Sequence, residues 1–338
     1  LNKFQIFIIN QGLFSVFKML TSKTKKFNKS RDSKNASPVS VLINQENSES
    51  SESSSKSKIL SCKTRIHDDN YNLEHGEKRI LIFNQTKFRG YDTGLKDRIG
   101  VEHDTQAIKD TFNPLGFFIQ EHENLTVAQI KHELLSLSSM DCLSCLVIFI
   151  STHGDKNDIL LAFDTKFNLR DDIMEELSPK KMPFLAGKPK VVFVQASQGP
   201  MMDKGIHIMF VKLESGQADG RDSAESNHKI STHTDFLLAK SSYHGYSSHW
   251  SDLSGSRFIQ TVCDEIGKSS PTDDLLSIMT KVIRNISINY TSRHEDPDSD
   301  QCKQTPMLEV TLLRKIYLKS LDNVESSGSK SDEEPSTG

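Results

Sequence analysis

Leu146-Val147-Ile148-Phe149-Ile150-Ser151-Thr152-His153-Gly154 sets five apolar residues in a row and then stops at a polar turn. A run without alternation reads as a strand buried on both faces, as parallel strands are, because a strand with one wet face alternates apolar and polar residues. Val191-Val192-Phe193-Val194 repeats the pattern and ends on Gln195-Ala196-Ser197. Working outward, a strand is expected at Ile80 to Phe83, a helix at Glu102 to Phe112 stopped by Asn113-Pro114 and Gly116, a strand at Phe117 to Glu121, and a helix at Thr126 to Ser136. Arg170 to Leu177 has helical spacing. A second block holds a strand at Phe236 to Leu238, helices at Phe258 to Ile266 and Asp273 to Tyr290, and a closing strand at Leu308 to Tyr317.

Strands alternating with helices predict right-handed crossovers and an α/β fold over residues 78–318, a mostly parallel sheet with helices on both faces. Ligands bind such sheets beyond the carboxyl ends of the strands. That rule singles out His153 and Ser197, which directly follow the two buried runs.

The whole chain has 338 residues, 42 Lys plus Arg against 45 Asp plus Glu, and a formal charge of -3. Near-neutral charge gives no electrostatic case for binding nucleic acid, which needs an excess of cations. No apolar run reaches the 18 or more residues of a membrane span. Five cysteines, Cys62, Cys142, Cys145, Cys263 and Cys302, are too few and too odd in number for a disulfide scaffold. Cys142-Leu143-Ser144-Cys145 has the C-x-x-C form of metal and redox sites, but it lacks a second pair and runs into the buried strand, so core or strand-edge thiols are expected. No cofactor or metal is indicated.

The ends read differently. Residues 1–18 are apolar ahead of Met19, which suits a start at Met19 better than a signal peptide, since Asn10-Gln11 interrupts the run. The basic stretch 23–34 and the Ser, Glu and Lys tract 46–58 have nothing to bury, and residues 1–77 are expected to be a disordered leader. Residues 200–228 turn polar and read as a linker, and 319–338 as a disordered tail.

The segment Gly187-Lys188-Pro189-Lys190-Val191-Val192-Phe193-Val194-Gln195-Ala196-Ser197-Gln198-Gly199 resembles the active-site strand and loop of the caspases, which ends Gln-Ala-Cys-Arg/Gln/Gly-Gly. Here Ser197 stands where the family has its nucleophilic Cys. The family's His, followed by Gly, lies roughly 50 residues upstream, and His153-Gly154 precede Ser197 by 44 positions. Lys96-Asp97-Arg98-Ile99-Gly100 is similar to the segment that carries the family's first substrate-pocket Arg. His228-Lys229-Ile230, Asp235-Phe236-Leu237, Phe258-Ile259-Gln260 and Pro306 to Tyr317 are similar to the small subunit.

The resemblance implies a three-layer sandwich around a mostly parallel six-stranded sheet, with a large-subunit region 78–199, the linker 200–228 and a small-subunit region 229–318. It further implies a short prodomain, a cytoplasmic location, dimerisation through the last strand, and cleavage between subunits, for which Asp219 and Asp222 are placed. The family holds a substrate Asp with two arginines and a Gln, since charge-assisted bonds select a carboxylate. Arg98 and Gln195 match two of them, and counting back from Phe258 puts Ser248 in the pocket and Trp250 where the second Arg belongs.

A thiol with a pKa of about 8.5 ionises at modest cost, whereas a Ser hydroxyl needs a base aimed by a third group. The sequence therefore reads as a catalytically impaired homologue that regulates apoptotic caspases, by dimerising with an active caspase or competing for its regulators, with a homodimer and an Asp-containing peptide as further partners. The rival is an active endopeptidase cleaving after Asp, through Ser197 or with Cys restored there. Two losses in one site favour natural decay, because a deliberate Cys→Ser change leaves the Trp250 position alone.

Overall fold

The computed structural model describes residues 68–89, 91, 95–140, 142–206 and 233–319. All of them belong to the unit Lys58–Gly338; the other unit, Leu1–Ser57, lies outside the described residues. So do Asp219, Asp222, most of the linker and the tail from 320 onward.

In chain order the elements are β1 (Glu77–Asn84), α1 (Val101–Phe112), β2 (Phe117–Glu123), α2 (Val127–Ser136), β3 (Leu143–Ser151), β4 (Gly154–Asp155), β5 (Ile159–Leu161), β6 (Lys166–Asn168), β7 (Lys190–Gln195), β8 (Phe236–Lys240), β9 (Trp250–Ser251), β10 (Gly255–Ser256), α3 (Arg257–Lys268), α4 (Leu275–Asn289) and β11 (Met307–Val310). Six strands form the central sheet in the order β2-β1-β3-β7-β8-β11. All its pairings are parallel except β11 against β8. β4, β5 and β6 form a small antiparallel sheet, and β9 pairs with β10.

Alternation along the strands divides the core in two, since successive side chains point to opposite faces. Ile80, Ile82, Val147, Phe149, Val191 and Phe193 pack with Ile108 and Phe112 of α1, Phe258 and Val262 of α3, and Met279 and Val282 of α4. Leu81, Phe83, Leu146, Ile148, Ile150, Val192 and Val194 pack on the other face with Ile130 and Leu134 of α2. The result is a three-layer sandwich, helix, sheet and helix. Thr126 starts α2 with a capping box shared with Gln129, which satisfies amide groups the first helical turn leaves free.

Several expectations need correcting. The closing strand is confined to Met307–Val310. Beyond it the chain leaves the sheet, pairs Lys315 with Asn70, and buries Ile316 and Leu318 in the core. Arg170 to Leu177 is not a regular helix but a five-residue π turn, Arg170–Met174, with Glu175 N donating to Arg170 O at 2.8 Å. Asn168 caps the turn while Arg170 reaches into an ion cluster, and Ile173 and Leu177 still face the core. The linker also begins later than Pro200, because Met201 bridges Tyr246 and Asp203 bridges Lys303.

Nor is Lys78 the start of ordered chain. Tyr71 and Leu73 are buried in the first core cluster. The Tyr71 hydroxyl donates to Asp235 Oδ1 at 2.7 Å and accepts from Leu313 N at 3.1 Å, tying the segment before β1 to the end of the antiparallel pair where β8 begins and β11 finishes. Asp235 is 1% exposed. Tyr71→Phe is therefore expected to lower stability by about 1 to 3 kcal/mol, the cost of orphaning a buried acceptor, read from the midpoint of urea unfolding; an unchanged midpoint means the segment is not held in this way.

Candidate active site

The carboxyl ends of β3 and β7 lie side by side, with Ser151 opposite Gln195. Beyond β3, Thr152 N bonds Gln195 O at 3.0 Å, and the hairpin of β4 and β5 fixes His153 through Leu161 N donating to its carbonyl at 3.1 Å. Beyond β7, Ser241 Oγ both accepts from Ala196 N and donates to Ala196 O, so the turn that carries Ser197 is held from the end of β8. A Cβ on Gly154 would lie 2.4 Å from Ser197 O. Only glycine lets the two strand ends approach this closely.

Sequence reasoning put His153, Gly154 and Ser197 in one place, and the structure brings them together around this junction. The two reactive side chains are nevertheless engaged elsewhere. Ser197 Oγ accepts a hydrogen bond from Ser248 N at 3.1 Å and lies 3.4 Å from Ser247 Oγ. His153 Nε2 is 2.9 Å from Lys96 O. Among the described residues no hydrogen bond joins the two side chains. Burial pushes the His153 pKa below its ordinary value, and the Arg98 charge acts the same way against the Lys96 bond, so both disfavour the charged ring. Phe88 packs on the imidazole, with centroids 4.7 Å apart, and Trp250 meets it edge to face at 5.8 Å.

The expected substrate-binding residues converge as well. Arg98 is 3% exposed, and its Nη1 donates to Ser151 Oγ at 2.8 Å. Gln195 Nε2 donates to Ser248 Oγ at 3.2 Å. The indole of Trp250 lies over the guanidinium, 5.2 Å from Cζ to ring centroid, an attraction between cation and ring quadrupole. Burial lowers the Arg98 pKa to about 10, with the nearby Asp104 charge opposing the shift.

Asp104 was not singled out from sequence, because an acid in the first turn of a helix reads as a solvated face. It is 4% exposed. It accepts from Ser256 N at 2.9 Å and from Gln260 Nε2 at 2.8 Å, so α1 anchors the β9 and β10 hairpin that carries Trp250. Burial raises its pKa, though these bonds and Arg98 oppose the rise. Ser151, Ser247 and Phe88 were also missed, and short polar or single aromatic residues in turns carry no periodic signal that would mark them.

Among the described cysteines, Cys145, Cys263 and Cys302 are buried, and Cys62 lies outside the described residues. Cys145 lies inside β3, and burial pushes its pKa up to about 12, which suppresses the thiolate that metal binding and redox chemistry need. Cys142, partly exposed, donates to His75 O. Among the described residues no cluster of three or more His, Cys, Asp or Glu side chains is arranged to hold a metal ion, and no helix is long and apolar enough to cross a membrane.

The caspase domain (peptidase C14) matches residues 77–317. The chain is 31% identical over 262 residues to Caspase-1 of Drosophila melanogaster, covering 76% of this chain and 78% of that one. It is 30% identical over 263 residues to Caspase drICE of the same organism, covering 77% and 75%. The crystal structure of Caspase-1 from Spodoptera frugiperda superposes with a TM-score of 0.66 at 28% identity, over 75% of this chain and 94% of that chain.

Proposed function

The chain belongs to the caspase family, and from that premise we propose that it is a catalytically impaired member that regulates apoptotic caspases in the cytoplasm, pairing with an active caspase or competing for its regulators. The observation that carries this reading is the state of the two reactive side chains. Ser197 Oγ takes its hydrogen bond from Ser248 N, and the imidazole that would have to deprotonate it is bonded to Lys96 O. A serine nucleophile needs a base within hydrogen-bond reach of its hydroxyl.

The six-stranded sheet with helices on both faces is retained, which a regulatory role requires. Among the described residues β11 is an edge strand, paired only with β8, and a self-complementary edge suits the two-fold symmetry of most dimers. An inactive protomer seated there orders the loops of an active one by ordinary thermodynamic coupling.

A second reading, an endopeptidase cleaving after Asp, draws on the retained Arg98, Gln195 and Gly154 around the nucleophile position. The regulatory reading is tested by pairing. The full chain, mixed with an active short-prodomain caspase, is expected to elute from gel filtration as a joint species and to change that caspase's rate. Elution as separate monomers with an unchanged rate rejects the regulatory reading.

A further inference from the structure

The side chains expected to receive a substrate carboxylate are closed off by the protein itself. Arg98 is 3% exposed and Gln195 1%. Both are engaged internally, Arg98 Nη1 with Ser151 Oγ and the Gln195 amide with the Ser248 hydroxyl. Trp250 lies over the guanidinium, 5.2 Å from Cζ to ring centroid, and meets the His153 ring edge to face at 5.8 Å. Arg98 Nε and Trp250 Nε1 are shielded from solvent, yet Trp250 as a whole is only partly buried. The indole therefore has one side on the cation and another at the surface.

The backbone on either side of Trp250 is held down. Before it, Ser248 N donates to Ser197 Oγ and His249 N to Gln304 Oε1 at 3.0 Å. After it, the hairpin of β9 and β10 is anchored where Asp104 accepts from Ser256 N and Gln260 Nε2. Gly100, at φ +84°, lets the hairpin lie against the turn that follows Arg98, since a Cβ there would stand 2.6 Å from Asp252 O. A hairpin fixed at both ends cannot carry the indole away from Arg98. A carboxylate reaching the guanidinium would have to displace the ring. That forfeits an attraction between cation and ring face that is strongest where water is excluded, and it exposes the apolar area the indole now covers.

We propose that Trp250 is a built-in plug, filling the place where a caspase receives an Asp side chain and closing Arg98 and Gln195 to acidic peptides. The proposal deepens the impaired reading at the same site and rests on it for the identity of the pocket. It adds a failure of binding to the failure of cutting: the chain does not take the peptide at all. A regulator built in this way acts through its outer surface and not as a peptide decoy.

Phenylglyoxal modifies accessible arginines, and peptide mapping by mass spectrometry reads Arg98 by itself. In the full chain Arg98 is expected to react at least about tenfold more slowly than in the urea-unfolded chain, because labelling then waits on local opening. Trp250→Ala is expected to remove most of that protection, and Trp250→Phe, which keeps a ring over the guanidinium, to retain it. Calorimetry with a capped tetrapeptide ending in Asp is expected to show no binding to the unaltered chain. Trp250→Ala is expected to bind it at least about tenfold more tightly than the matched peptide ending in Ala, the size of one charge-assisted bond. Circular dichroism checks the fold of Trp250→Ala, and Trp250→Val replaces it if it does not fold. Trp250 is the only tryptophan in the chain, so a ligand seated on Arg98 would shift its emission. Rapid labelling of Arg98 in the unaltered chain overturns the proposal, as does an emission shift with the Asp peptide and not the Ala one. So does a folded opening variant in which Arg98 stays protected. Pairing is read separately by elution: a chain that pairs but also binds the Asp peptide rejects the plug alone, and one that stays closed but never pairs rejects the regulatory reading alone.

Discussion

The double variant Ser197→Cys, Trp250→Arg is expected to hydrolyse a fluorogenic peptide ending in Asp at least about a thousandfold faster than the unaltered chain, which is itself expected to turn over no faster than buffer. Two barriers fall in this variant. The first is ionisation: a thiol near pKa 8.5 yields attacking thiolate at neutral pH, and Ser248 N, which now donates to Ser197 Oγ, donates equally well to a thiolate. No charge relay has to be built, because a thiolate attacks without a base aimed at it. The second barrier is recognition. A charge-assisted bond to the substrate carboxylate contributes about 1.5 to 3 kcal/mol, or roughly ten- to a hundredfold, and Trp250→Arg restores the second cation. Ser197→Cys alone is expected to act weakly on the Asp peptide, and Trp250→Arg alone is expected to be inert. Hydrolysis by the unaltered chain that disappears in Ser197→Ala rejects impairment outright.

The ease with which the site was read traces to the strands that carry it. β3 and β7 lie in the middle of the sheet with both faces covered, so Leu146 to Ile150 and Val191 to Val194 are continuous apolar runs. Their ends place His153 and Ser197 without further information, and counting from Phe258 places Trp250. What the sequence could not convey is contact across long separations. Asp104 bonds Ser256 over 152 positions, and nothing local distinguishes it from the other acids of α1. Lys190 and Lys240 are fully buried, against the usual preference of lysine. Lys190 is accommodated by the carbonyls of Leu185 and Lys188 and the ring of Phe236, and burial lowers its pKa to about 8. The closing strand was overextended for the opposite reason: its apolar residues beyond Val310 are buried by crossing the sheet end, not by pairing in it.

Lys240→Met is expected to destabilise the fold by about 3 kcal/mol, the lower end of the cost of breaking a buried ion pair. Lys240 Nζ lies 2.7 Å from Asp158 Oδ1 and 2.9 Å from Glu309 Oε1, and Arg170 closes the ring with Nε 2.6 Å from Asp158 Oδ2 and Nη2 2.7 Å from Glu309 Oε2. Lys240 is wholly buried and Asp158 is 5% exposed, so removing the ammonium leaves two carboxylates to a single, partly exposed Arg170. The ring joins the edge strand β11 to the turn between β4 and β5, just after His153. Burial pushes both carboxylates up, but the hydrogen bonds and charges of Lys240 and Arg170 prevail and hold Asp158 and Glu309 below their ordinary values. Depressed carboxylates contribute stability that is fully present above their unfolded values near 4 and is lost as pH falls through the folded ones. The unaltered chain should therefore lose stability steeply below about pH 4, and Lys240→Met should lose less over the same range, having less depression to give up. Urea unfolding at pH 7 and at a series of acid values reads both effects. Adding Asp158→Asn and Glu309→Gln to Lys240→Met should recover part of the loss at pH 7, since what costs most is an uncompensated buried charge and not the missing attraction. A triple variant no more stable than Lys240→Met would assign the loss to the packing of the lysine stem instead.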